Sequence, residues 1–564
     1  MLHALTRCTN GTSRFLFIRQ FASHPGCRTL SPDDFAEKRR QWSRMSQIIL
    51  SVDQLLKQEK NKEAVGFFKL SMSRIPLDDR SSRLGVYERG ISAFLDHKRF
   101  KDALVLHQKM HVKGMFASSG LRAKMLVCSS IVKAPQEQRE ELPSLFDELS
   151  HVVSLRSYSE RRLCQLLDVM KNHPLLDSQF VSNLVDRYID SRGSEYDMKP
   201  NTINKLIRFY AHVGCMDTAE DLVVSHQDAH NRPRPANAGP YTTLISELSN
   251  KGSLSSRRLE SLLDKMNQSQ IKVDLPLLNV LVQAAVRKEN LHQAFNIYET
   301  ILRDASAHMI PDSFVFGSLF NALQRIWTSR SPSLRSARQP PNAPTPRQLF
   351  RQMLECHVLA IQAADPRAHP VVVRVSTLNV ALRLFMLSTD YAGTFVTLQT
   401  FRALDLKPDV RSYRFVLTIL SAHLKLGLQQ AATDQAHPSS NSRRATWAVN
   451  FLGGHARAAH MQPEDLRPEV ACAALLELGV GDTGCRAPTL ALVLGDEKAR
   501  AREAGWDVEP LERLVARAVL ATMARRSTSD GQAERALREK LAPYFYEMVP
   551  DRLWRGRRLR RAAG

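Results

Sequence analysis

Apolar residues recur at three- and four-residue intervals through most of the chain. Leu278, Leu281, Val282 and Ala285 share one such spacing, and Leu291, Ala294, Phe295 and Tyr298 repeat it one segment later. This period places them on a single face of an α-helix. Strand-like alternation is scarce, with the short run Val371-Val372-Val373 as the main exception. Breaks at Gly, Pro, Asn or Asp fall every 12 to 20 residues from Met45 to about Ala432. The pattern predicts an all-α chain of helical hairpins, and hairpins in series raise the question of a fixed repeat.

A repeat is present. Val375-Ser376-Thr377-Leu378-Asn379-Val380-Ala381-Leu382 opens a helix, Leu406-Lys407-Pro408-Asp409 closes the unit, and Val410 opens the next, 35 residues after Val375. From Tyr87 the same frame places Ala103 at 16 residues and Met110 at 23, with Gly114 ending the second helix. Ile203 with Ala219 and Leu278 with Ala294 repeat the 16-residue offset. A small residue belongs there because two closely crossing helices leave no room for a large side chain.

These residues resemble the pentatricopeptide repeat, whose units open on a Val-Thr-Tyr-Asn-type helix and close on Gly-Ile-Lys-Pro-Asp. Closures of that kind are Met198-Lys199-Pro200-Asn201, Ile271-Lys272-Val273-Asp274, Ile310-Pro311-Asp312 and Leu406-Lys407-Pro408-Asp409. The resemblance spans 47–430 and is strongest from Pro200 to Leu420. A tetratricopeptide array has a nearby period but does not account for the Pro-Asp closures. Some units depart from the pattern. Arg257 stands where a small residue is expected after Tyr241, Met266 falls two residues late, about three residues are added between Asn279 and Asp312, and Thr394 replaces Ala.

The resemblance implies a superhelical solenoid whose first helices bind single-stranded RNA, one base per unit. Two side chains per unit would read the base: one early in the first helix, the other closing the unit. Carried over, the pairs are Glu88 with Ser118, Thr242 with Asp274, Asn279 with Asp312, and Asn379 with Asp409. Asn204 occupies the first position of a unit without a clear partner, because Arg234 falls in a Pro-rich insertion. By the family's code, Asn with Asp implies uracil and Thr with Asp implies guanine. The plainer alternative is that the Asp residues N-cap helices and the Asn residues are solvated at helix starts. Pro276 and Ser376 also stand where the family prefers an apolar wedge.

Charge supports a polyanionic partner. Lys and Arg number 79 against 57 acids among 564 residues, a formal net charge of +22. Cations that neutralise phosphates release condensed counterions, so such a surplus favours nucleic acid. No run of 18 apolar residues occurs, and no transmembrane segment is expected. The eight cysteines include no Cys-x-x-Cys pair, so neither a zinc ribbon nor a disulfide framework is expected.

The first acidic residue is Asp33, and Arg7, Arg14, Arg19 and Arg28 precede it among Leu, Phe, Ser and Thr. An Arg-rich, acid-free opening is the profile of a mitochondrial transit peptide, with Arg19-Gln20-Phe21-Ala22-Ser23 as the processing site. The expected organisation is therefore a transit peptide at 1–21, a linker at 22–46, the repeat array at 47–430 with a flexible Pro- and Ser-rich insertion at 329–346, a linker at 431–446, and a helical C-terminal segment at 447–564. That segment ends in Arg552, Arg555, Arg557, Arg558, Arg560 and Arg561, a phosphate-gripping tail or simply a solvated end.

Catalytic patterns fail on inspection. His226-Gln227-Asp228-Ala229-His230 has the zinc-protease spacing but Gln in place of the general base, with Pro233 just beyond. Gly479-Val480-Gly481-Asp482-Thr483-Gly484 matches a dinucleotide fingerprint, yet Ala471–Leu476 before it reads as helix where a strand is required. The zinc-deaminase signature is missing as well. The expectation is a non-enzymatic protein of the mitochondrial matrix, without cofactor or small-molecule substrate. It would bind mitochondrial messenger or ribosomal RNA in transcript stability, processing or translation. The alternative is a component associated with the mitochondrial ribosome or its assembly, using the helices as a protein-interaction scaffold.

Overall fold

The computed structural model describes residues 32–75, 79–193, 196–227, 237–303, 310–328, 340, 342–362, 371–436, 443–453, 467–481, 484–495, 505–522 and 530–554. Among these residues every regular element is a helix, so the all-α expectation holds. They fall into two compact units that divide between Ala236 and Asn237. The transit-peptide segment, most of the 329–346 insertion and the terminal arginines from Arg555 lie outside the described residues.

In the first unit the helices are α1 (Pro32–Lys57), α2 (Asn61–Ser73), α3 (Arg80–Asp96), α4 (Phe100–Val112), α5 (Ser119–Val132), α6 (Pro135–Ser154), α7 (Glu160–Met170), α8 (Ser178–Asp190), α9 (Pro200–Val213) and α10 (Met216–Gln227). Each packs on its chain neighbour or on the helix after it: α1 meets α2 and α3, α5 meets α6 and α7, and α7 meets α9. That is the contact pattern of stacked hairpins. Helix α1 begins at Pro32, inside the segment expected as a linker.

The second unit opens with α11 (Gly239–Asn250), α12 (Ser256–Gln268), α13 (Leu275–Arg287), α14 (Leu291–Arg303), α15 (Ser313–Trp327), α16 (Pro346–Gln362), α17 (Val375–Leu387), α18 (Tyr391–Ala403) and α19 (Val410–Ala436). Helices α11, α13, α15, α17 and α19 contact one another in series, forming the ladder of first helices that a helical-hairpin repeat solenoid requires. Ala103, Ala219 and Ala294, the small residues of the repeat frame, are fully buried. Thr394 is also fully buried, and its hydroxyl donates to the Asp390 carbonyl at 2.9 Å, so it fits a position meant for Ala by bonding to its own helix. Arg257 is exposed, and Leu262 and Met266 are the buried residues of α12, which accounts for that unit's departure from the frame.

The turns repeat as regularly as the helices. After successive helices one residue adopts a left-handed conformation, and the N–H of the following residue bonds to a carbonyl five positions back. Lys60 to Leu55, Arg99 to Phe94, Cys215 to Tyr210, Ser253 to Leu248, Asn290 to Ala285 and Asp390 to Phe385 close first helices this way. Met115 to Met110, Ile271 to Met266 and Leu406 to Phe401 close second helices. This is the Schellman closure, which satisfies carbonyls left over at a helix end. Glycine fills the left-handed position at Gly114, Gly214 and Gly252, whereas Glu59, Lys98, Glu289 and Thr389 hold it with side chains. Acidic and hydroxyl residues cap the next helices: Asp79, Ser118, Asp177, Ser255, Asp274, Asp312 and Asp390 each accept a backbone N–H.

The C-terminal segment packs onto the end of the second unit. It comprises α20 (Arg443–Leu452), α21 (Pro468–Val480), α22 (Leu490–Leu494), α23 (Glu509–Ala521), α24 (Asp530–Met548) and α25 (Asp551–Trp554). Helices α21 and α22 pack on α19, α23 packs on α18, and α24 packs on α16 and α18. Trp506 N–H donates to the Pro408 carbonyl at 3.0 Å, and Trp447 Nε1–H donates to the Ala518 carbonyl at 3.2 Å. The acids of this segment are not all surface decoration, because Glu512 is buried against Arg402 of α18. The expected linker 431–446 begins inside α19 and ends inside α20.

Candidate nucleic-acid interface

The expected reading positions sit at the N-terminal turns of first helices, where each unit closes against the next, except Glu88, which lies midway along α3. Asn279 Nδ2 donates to Asp312 Oδ2 at 3.0 Å, and Asn379 Nδ2 donates to Asp409 Oδ1 at 2.9 Å. The Ser118 backbone N–H donates to Glu88 Oε1 at 2.7 Å. Three of the four pairs are therefore in contact across consecutive units. Thr242 and Asp274 are not joined. Thr242 Oγ1 donates to the Ala238 carbonyl at 2.8 Å, and Asp274 accepts from Leu277 N–H at 2.9 Å.

The closing residues all act as helix caps as well. Asp312 accepts from the backbone N–H groups of Phe314 and Val315, and Asp409 from that of Ser412. Capping and pairing use the carboxylate together, so the two readings of these residues coexist.

The Asn residues differ in what remains free. Asn279 is half-buried, and its Oδ1 has no hydrogen-bond partner. Asn204, for which the sequence offers no clear closing partner, is in the same state, and Arg234 lies outside the described residues. Asn379 is only 3% exposed, and its Oδ1 accepts from Ser412 Oγ at 2.6 Å. Both ends of the Asn379 amide are thus engaged internally.

A groove of about 690 Å³ crosses the first helices of the first unit. It is lined by Asp53 of α1, Glu88 and Ser92 of α3, Lys124 of α5, and Arg161 and Arg162 at the start of α7. Lys124 is buried, and burial holds its amine below the usual lysine range while Asp96, Glu88 and Asp168 pull the other way. It donates to Ser92 Oγ at 3.1 Å and Gln165 Oε1 at 3.4 Å, tying three first helices together. Arg162 donates to Ser119 Oγ and to the Ser157 carbonyl, both at 3.0 Å. Its aliphatic stem crosses Gly120, where a Cβ would lie 2.9 Å from Arg162 Cδ. Arg161 is exposed on the same rim.

The repeat frame pointed to Glu88 and Ser118 but not to Lys124, Arg161, Arg162 or Gln165. Lys124 and Gln165 hold the same position, the sixth, in α5 and α7, a register that could have found them, while Arg161 and Arg162 stand in the first turn of α7. Arg161 and Arg162 offer cationic groups for phosphates beside short polar groups for base edges, with the carboxylates of Asp53, Glu88 and Asp96 lining the same groove.

No group of three or more metal-ligating side chains occurs among the described residues. Ala471 to Leu476 lie within α21, so the glycine-rich run after them follows a helix and not a strand. His226 is the last residue but one of α10, and His230 lies outside the described residues.

Comparison with known proteins agrees with the repeat frame. Residues 185–301 match the family profile described as pentatricopeptide repeat-containing protein. No curated protein matches the chain. Among solved structures, similarity is found to the pentatricopeptide repeat protein PPR10 in complex with an 18-nucleotide psaJ RNA element, at 13% identity, TM-score 0.26, covering 73% of this chain and 65% of that one. A form of PPR10 carrying cysteine-to-serine substitutions, with the same RNA, gives 13% identity, TM-score 0.30, and 74% and 60% coverage. PPR10 from maize gives 12% identity, TM-score 0.20, and 95% and 97% coverage. The chain thus spans less than two thirds of the length of the two RNA-bound forms.

Proposed function

We propose that this chain, a repeat protein of the pentatricopeptide type, binds single-stranded RNA along its first helices in the mitochondrial matrix. It would serve there in transcript stability, processing or translation, without catalysing a reaction. The observation that carries the reading is the Asn279–Asp312 pair, set at a unit boundary with the Asn279 carbonyl oxygen unpartnered. That oxygen is also shut away from solvent, a costly state that a rotation of the Asn279 side chain toward a base edge would relieve. The groove flanked by Arg161 and Arg162 adds phosphate-binding charge in the other unit. The mitochondrial address rests on the Arg-rich, acid-free opening of the sequence.

The test is fluorescence anisotropy of the full chain with labelled U-rich and U-free single strands at several salt concentrations. Tighter binding to the U-rich strand that persists across the salt series supports the proposal. Equal binding to both strands sinks base reading, and no binding sinks RNA recognition altogether.

A second reading is favoured by the internal engagement of Asn379 and the separation of Thr242 from Asp274. In it the helices serve as a scaffold on or near the mitochondrial ribosome, and few bases are read. Crosslinking and sequencing of RNA bound in mitochondria separates the two. A short discrete footprint supports the first, and broad ribosomal RNA with co-sedimentation supports the second.

A further inference from the structure

Helix α4 carries two histidines that face each other one turn apart. His107 Nε2 and His111 Nε2 lie 3.2 Å from one another, with ring centroids 4.5 Å apart and the rings near perpendicular. An imidazole nitrogen binds a zinc-like ion at about 2.0–2.1 Å. Two nitrogens at that radius and 3.2 Å apart subtend about 103° at a common ion. That angle is close to tetrahedral, so the spacing of the hydrogen-bonded pair fits two ligands of one ion that takes the place of the shared proton. We propose that His107 and His111 form a two-imidazole seat for a borderline divalent transition ion, of which Zn²⁺ is the representative.

The surroundings suit this use. His107 is half-buried, so one side of the pair is walled by the protein. His111 is exposed, and the Phe116 ring stands edge-on 6.0 Å from it, fixing one side of the site. The nearest lysine along the helix, Lys109, is two residues from each histidine and so turned roughly 200° away around the axis. Lys113 is directed elsewhere, over the Tyr87 ring at 5.9 Å.

No third His, Cys, Asp or Glu joins the pair among the described residues. The ion's remaining positions are therefore open to water or to a ligand from another molecule. Imidazole suits Zn²⁺, Cu²⁺ and Ni²⁺, whereas Mg²⁺ and Ca²⁺ demand oxygen ligands. The seat therefore discriminates by ligand type. A bound ion would staple the last two turns of α4 just before the left-handed turn at Gly114. It would thereby stiffen the hairpin whose first helix carries Glu88.

The test is calorimetric titration of the full chain with Zn²⁺, beside His107→Asn and His111→Asn. Far-ultraviolet circular dichroism checks that both variants fold. The expected result is one equivalent of Zn²⁺ lost in each variant, with a zinc-dependent rise in Tm that the native chain shows and the variants lack. Mg²⁺ at the same concentrations should produce no rise. Full zinc uptake by either variant, or none by the native chain, overturns the proposal. His111 is exposed, so His111→Asn keeps the test valid even if the half-buried His107 position tolerates substitution poorly.

Discussion

The Asn379 amide and the Asp409 carboxylate meet at 2.9 Å where α19 begins, and Ser412 Oγ donates back to Asn379 Oδ1 at 2.6 Å. Asn379 and Ser412 are buried, Asp409 is half-buried, and both ends of the amide are engaged, unlike the pair formed by Asn279 and Asp312, where one oxygen remains unpartnered. Asn379→Ala should therefore act on stability. It removes partners from Asp409 and Ser412 at a buried site, which costs about 1–3 kcal/mol. Asn279→Ala should instead reduce the preference for U-rich strands and leave the unfolding midpoint nearly unchanged. Urea denaturation and anisotropy on both variants check the pair of outcomes. A loss of base preference in Asn379→Ala without loss of stability would reverse the assignment.

Gly90 of α3 faces Phe68 of α2 so closely that a Cβ there would lie 2.2 Å from Phe68 Cε2. Phe68 is fully buried and stands edge-on to both Tyr87 and Phe94, so it cannot swing aside without disturbing that cluster. Alanine normally improves a helix interior by up to about 1 kcal/mol over glycine. Here overpacking should dominate, and Gly90→Ala should destabilise the chain by about 1–3 kcal/mol. Thermal unfolding decides the sign, and a variant more stable than the native chain would contradict the packing argument.

Features set by local sequence were the ones that could be read in advance. The 35-residue step from Val375 to Val410 and the buried Ala103, Ala219 and Ala294 follow from periodicity alone. The Asp caps were legible too, because a short acid before an apolar run has few other uses at a helix start. Burial of Asn379 was not legible, since it depends on Ser412, 33 positions away in sequence. The groove at Lys124, Arg161 and Arg162 is assembled from several first helices, and no single segment announces it. The polar composition of 431–446 predicts a linker throughout. Helix α19 nevertheless runs to Ala436, with Leu424 and Leu428 buried along a helix that packs on α20. The helix, anchored by those leucines, carries on past the point where composition changes.

Thr389 holds the left-handed turn position between α17 and α18 with φ of 56°. A β-branched residue is poorly suited to that region, where its Cβ crowds the following carbonyl. The equivalent positions at Gly214 and Gly252 carry no such strain. Thr389→Gly should stabilise the chain by about 1 kcal/mol, the relief of strain exceeding the entropy that glycine adds to the unfolded chain. Gly214→Ala should lose a similar amount. If both substitutions shift the unfolding midpoint in the same direction, turn strain is not what separates these positions.

Glu512 joins the C-terminal segment to the array through Arg402, and it is only 6% exposed with Oε1 unpartnered. Burial raises its carboxyl to about 7, and Arg402 offsets this only in part. An acid whose folded value lies above its unfolded value favours the folded state while protonated. That contribution is complete below about pH 4.5 and is lost as pH rises through about 7. Glu512→Gln keeps the neutral shape at every pH, so it should match the native chain near pH 5 and be more stable above pH 7. The gap should grow to a few kcal/mol by pH 8.5, on the order of 1.4 kcal/mol for each unit of separation between folded and unfolded values. Urea midpoints of both proteins from pH 5 to 8.5 measure it. A gap that stays constant across that range would mean that Glu512 does not titrate within it.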